Sequence, residues 1–127
     1  KMADPVLMRI GLSIVRWHMK IVDELIETYL ATQLDATTVR SWYQRCQPSE
    51  ELLSAVAERI GSAFLARRLD FEAASGLLNQ LMPLVGFETA PRRFWEFYVA
   101  FENAECSGNS DRCARQAVKA LTSSGSA

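Results

Sequence analysis

Few groups in this chain have side chains suited to chemistry. His18 is the only histidine among 127 residues, and it lies in the stretch IVRWHMKIV, residues 14–22. As a general base it would need a nucleophile or carboxylate in reach, and as a metal ligand it would need companions at defined spacing. Cys46, Cys106 and Cys113 are too scattered for the usual zinc spacings, and an odd number of cysteines does not make a disulfide framework. Cys106 and Cys113 flank a short loop and would pair only in an oxidising compartment, so reduced thiols are expected.

Carboxylates occur close together as Asp23-Glu24, Glu50-Glu51, and Glu102 with Glu105. None has the apolar surroundings that raise a pKa for acid–base work. The chain carries no phosphate-binding glycine loop and no GxSxG elbow. An unmotifed magnesium site, with Asp23, Glu24 and Glu27 meeting acids from a later helix, is the remaining route to metal chemistry. Lys20 and Arg16 share their strip and supply counter-charge, which favours a solvated face. The expectation is a non-enzymatic protein with no cofactor, no metal and no catalytic residue.

Arginine pairs and tryptophans are the other candidates. Arg67-Arg68 falls near the end of a helix, where cations complement the dipole. Arg92-Arg93 falls at the start of one, where they do not, so it calls for a partner: Glu88, Glu96, or an acidic surface of another protein. Trp95 stands beside the core stripe Phe94, Phe97, Tyr98 and Phe101, and Trp42 anchors a short helix. Either tryptophan is an interface anchor or a lid over a neighbouring helix. Trp17, His18, Trp42, Arg92, Arg93 and Trp95 are therefore the candidate interface or pocket residues.

The elements that position these residues read as consecutive helices. Asp4-Pro5 opens the first, with apolar periodicity to about Leu30. A short helix follows from Asp35 through Cys46. Pro48-Ser49 restarts the chain, and Leu52, Val56, Ile60 and Phe64 recur at helical spacing. Asp70 caps a fourth helix that Pro83 and Gly86 end. Thr89-Ala90-Pro91 opens an aromatic fifth, and Asn109 or Ser110 caps a last helix. No stretch alternates with period two for long enough to be a strand. The fold class is all-α, a single-domain bundle of about five to six helices over residues 1–122, with a flexible tail at 123–127 and a long, central N-terminal helix.

That first helix has two apolar seams. Met8, Leu12, Val15, Met19, Val22, Ile26 and Tyr29 form one; Leu7, Ile10, Ile14, Trp17, Ile21 and Leu25 form the other. Arg9, Ser13, Arg16, Lys20, Asp23, Glu24 and Glu27 share a narrow polar strip, and His18 and Gly11 fall between the seams. So wide an arc belongs to a helix central in its bundle or covered by a second subunit. Ile14, Trp17, His18, Ile21 and Val22 are expected to be largely removed from solvent, and a homodimer through this helix is a further expectation. A buried imidazole usually stays neutral with one hydrogen-bond partner.

Bulk properties exclude more than they assign. Fourteen basic against fifteen acidic residues leave a formal charge of -1, which gives no support for nucleic-acid binding. The early apolar run is interrupted by Arg9 and Arg16, so neither a secretory leader nor a membrane span is expected. Arginine- and alanine-rich composition has a bacterial character, and a cytoplasmic location is expected.

The stretch LARRLDFEAASGLLNQLMPL, residues 65–84, resembles segments of small all-helical bacterial immunity proteins. It shares their short polar link, an aromatic-Glu-Ala helix start and an Asn-x-Leu further on. The resemblance spans about one sixth of the chain and carries no functional residue across. It implies a protein that neutralises a toxin by binding it, commonly through acidic patches, whereas this chain is only marginally acidic. The first expectation is thus a protein that binds another protein; the alternative is a ligand-binding or regulatory module with a pocket near His18.

Overall fold

Three short polar side chains set where helices begin. Asp35 accepts from the Thr37 amide, Ser49 from the Leu52 amide and Asp70 from the Ala73 amide, at 2.8–3.1 Å. Each satisfies a backbone donor that has no partner within its helix. The computed structural model describes the backbone of residues 5–125 and the side-chain surroundings of residues 16–123. The described residues form six α-helices and no strand: α1 (Pro5–Ala31), α2 (Ala36–Cys46), α3 (Glu50–Leu65), α4 (Phe71–Val85), α5 (Arg92–Glu105) and α6 (Ser110–Gly125). The fold is an all-α bundle. Among the described residues no helix is long and apolar enough to cross a membrane.

Pro83 lies inside α4 rather than ending it. Its ring faces solvent, so the carbonyl it leaves without a donor can bond to water. The stop comes at Gly86, whose φ of 89° is readily adopted only by glycine. Its amide still donates to the Met82 carbonyl at 2.8 Å. α6 is capped by Asn109, whose side chain accepts from the Arg112 amide. The helix runs to Gly125, into the stretch expected as tail, while residues 126–127 lie outside the described residues.

The helix at the centre is α3, not α1. α3 packs against α1, α4, α5 and α6, and it buries Leu52, Leu53, Val56, Ala57, Ile60, Ala63 and Phe64. Gly61 makes its approach to α5 possible, because a Cβ there would overlap the Phe97 ring. Core aromatics close the space between helices, with Phe64 and Phe101 edge-to-face at 5.1 Å.

α1 is the longest helix, at 27 residues, or about 40 Å. α3 has 16 residues and so reaches only about 24 Å. The core takes Val22, Leu25, Ile26 and Tyr29 from α1. Ile21 is half-buried, as is His18, and Trp17 is 54% exposed. The expectation that Trp17 and His18 are withdrawn from solvent is thus corrected for the single chain. The physical reason is length: both residues lie N-terminal to the part of α1 that α2 and α3 cover. Gly11 and the side chain of Ile14 lie outside the residues whose surroundings are described.

Candidate functional site

The six candidate residues do not converge. Trp42 is the plainest correction: it is 2% exposed, and its indole N–H donates to the Ile21 carbonyl at 3.2 Å. It pins α2 to α1 and is unavailable to a partner. A tryptophan buries fully only where its one donor finds an acceptor, and the Ile21 carbonyl supplies one.

Arg93 is likewise structural. Its guanidinium pairs with Glu58 on α3 at 2.9 Å and, more loosely, with Glu96 at 3.7 Å. It also donates to the Leu121 carbonyl on α6 at 2.9 Å and lies 4.9 Å over the Phe97 ring. Arg93 therefore joins three helices, and Glu96 proves to be one of its partners. The cation offered to solvent is the neighbouring Arg92.

Arg115 does a similar job that no sequence signal announced. It donates to the Phe64 carbonyl at 2.9 Å, lies 4.3 Å over the Phe64 ring and pairs with Asp111. Its i,i+4 spacing from Asp111 was visible in sequence; its reach to the end of α3 was not.

Trp95 is 41% exposed. It belongs to a surface cluster of three aromatic rings. Tyr98, one turn along α5, stacks with it at 5.7 Å. Phe87, in the loop after α4, meets Trp95 edge-on at 6.1 Å and Tyr98 edge-on at 5.9 Å. Phe87 is 59% exposed. Tyr98 is half-buried, and its hydroxyl is held above the ordinary tyrosine value, first by burial and then by Glu102 and Glu105. Single apolar side chains on a surface are normal, whereas a contiguous exposed cluster is a candidate contact surface. Sequence reading found Trp95 but missed Phe87. Its only signal was an aromatic directly after a helix-ending glycine, where no helix face exists to bury it.

Trp17 and His18 form a separate place, on the exposed part of α1. Their rings lie 5.6 Å apart. A small cleft between α1 and α2 holds about 240 Å³. It is bordered by Glu24, Thr28, Thr38, Ser41, Trp42 and Arg45, and His18 does not line it. Glu24 and Arg45 across it are paired at 2.7 Å.

Two acids of α1 meet neighbouring helices, Asp23 on α3 and Glu24 on α2. Asp23 receives both Nε and an NH2 of Arg59, at 2.9 and 3.2 Å, and this hydrogen bonding raises the arginine pKa further. Among the described residues no three histidine, cysteine or acidic side chains are placed to hold a metal ion. Cys46 and Cys113 are half-buried, Cys106 is exposed, and all three are free thiols.

Comparison with protein-family models, with curated proteins and with solved structures finds no match to this chain.

Proposed function

We propose that this protein acts by binding another protein, without catalysis, through the aromatic surface of Phe87, Trp95 and Tyr98 with Arg92 beside it. The observation that carries this reading is a contiguous cluster of three aromatic rings at the surface, two of them exposed. Tryptophan, tyrosine and arginine are the residue types that most often anchor interfaces, because each brings large contact area and a polar handle. Burying the exposed parts of Phe87 and Trp95 would supply several kcal/mol, at about 25 cal/mol per Å² of apolar area.

A toxin is the partner class implied by the resemblance of residues 65–84 to immunity proteins. The apolar positions of that segment go to the core, with Leu69, Ala73, Ala74, Leu77, Leu78 and Leu81 buried, while Arg67, Arg68, Glu72 and Asn79 are exposed. The aromatic surface is the place where the contact with a toxin is proposed. A bacterial, cytoplasmic setting belongs to the same proposal.

The test is affinity capture from the source cell with the unaltered chain and with a Phe87→Ala/Trp95→Ala variant, after circular dichroism shows that both are folded. A partner retained by the first and lost by the second is the expected result. A partner that binds both equally would move the interface elsewhere. Restored growth when the chain is co-expressed with a captured toxic protein, and not when the variant is, would establish the immunity role.

A further inference from the structure

The charges of α1 are sorted by sign along its length. Every basic residue of the helix, Arg9, Arg16 and Lys20, precedes every acidic one, Asp23, Glu24 and Glu27. This order is the reverse of what the helix dipole favours, which is acids near the N-terminus and cations near the C-terminus. The first turn has no acid and the last has no base. Two of the acids are accounted for within the chain, by Arg59 and Arg45. Arg16, Lys20 and Glu27 have no ion-pair partner among the described residues.

An open groove runs along the solvent side of α1 across the point where the sign changes. Arg16, Met19 and Lys20 line one end, and Asp23, Glu24, Glu27 and Thr28 the other. Met19, 47% exposed, is the groove's apolar side chain, and Trp17 is also left in water on the other side of the strip.

We infer that α1 pairs with α1 of a second copy of this chain, antiparallel and about a twofold axis near residues 20–23. A twofold interface requires that a surface be complementary to itself: where residue i meets residue j, j meets i. The groove satisfies this, because rotating it places Arg16 and Lys20 of each copy against Glu27 and Asp23 of the other. The same pairing opposes the two helix dipoles and offsets the unfavourable order of charges within each helix. A parallel pair would set base against base and acid against acid. Trp17 and Met19, about 160° apart around the helix, then flank the charged strip on its two sides.

Sedimentation equilibrium from 1 to 100 μM tests this on the full chain, with circular dichroism as the control for folding. The expected result is a species of twice the 14.2 kDa chain mass, with a dissociation constant that rises with added salt. Arg16→Glu/Lys20→Glu should weaken the dimer at least tenfold, and Glu27→Lys should weaken it in the same direction. Glu27 is the acid chosen because it holds no arginine of its own chain. Mixing the two charge-reversed proteins should recover part of the lost association as a heterodimer, because Arg16→Glu then meets Glu27→Lys. A chain that stays at 14.2 kDa throughout the range would overturn the proposal. So would a dimer indifferent to both reversals, since that would assign the groove to an occupant other than a second α1.

Discussion

The apolar face of α3 and the apolar arc of α1 look alike in sequence, yet they end in different surroundings. α3 is enclosed by four helices and leaves none of its large apolar side chains in water. α1 carries the wider arc, yet among its described residues Val22, Leu25, Ile26 and Tyr29 enter the core while Trp17 and Met19 remain open. A hydrophobic pattern therefore states that a face is to be covered and leaves unstated what covers it. Width of the arc is a poor guide to centrality. α3 is central because its neighbours are arranged around it, through long-range contacts such as Gly61 against Phe97 that periodicity does not encode.

Two tryptophans sharpen this contrast most. Trp42→Ala should cost about 3–5 kcal/mol, the usual cost of emptying a core site of an aromatic ring, since it is enclosed and hydrogen-bonded to Ile21. Trp17→Ala should change the stability of the isolated chain by less than about 1 kcal/mol, as for a surface position. Urea unfolding at a concentration too low for self-association measures both. Equal losses would mean that the N-terminal part of α1 belongs to the core after all.

Adjacent arginines give the next comparison. Arg93→Ala breaks a bond to the Leu121 carbonyl and removes the cover over Phe97. Its ion pair with Glu58 is open enough to solvent to add little. A loss of about 1–3 kcal/mol is expected, set by the charged hydrogen bond and the lost packing of the stem. Arg92→Ala should lie within about 0.5 kcal/mol of the unaltered chain. Thermal unfolding of the two variants under one buffer separates them, and a similar loss at both positions would contradict the clamp.

Much of the local structure was legible because its signals are local. Asp35, Ser49 and Asp70 mark helix starts by their own side chains, and Gly86 marks an end by its backbone. The roles of Trp42, Arg93 and Arg115 were not legible. Each is decided by an atom far along the chain: the Ile21, Leu121 and Phe64 carbonyls, respectively. The surface cluster was half legible. Trp95 and Tyr98 share a helix and a spacing, whereas Phe87 joins them only because the α4–α5 loop folds back.

Two tyrosines provide the smallest effect and the finest comparison. Tyr29 is enclosed, and its hydroxyl is held above its ordinary value first by burial and then by Glu72. Gln80 donates to it at 3.3 Å. A tyrosine whose folded pKa exceeds its unfolded one contributes stability that is fully present below about pH 10, the unfolded value. That contribution is lost as the pH rises toward the folded value, where the native state must also ionise. Stability of the chain should accordingly fall above about pH 10, and Tyr29→Phe should flatten the fall while costing some stability at neutral pH through the lost hydrogen bond. Tyr98 is raised in the same direction, but it is partly open to water, so Tyr98→Phe should flatten the curve less. Unfolding free energies measured from pH 8 to 11 rank the two. If Tyr98→Phe removed more of the alkaline loss than Tyr29→Phe, the surface cluster would be the more enclosed site, and the case for it as a docking surface would fail with that ranking.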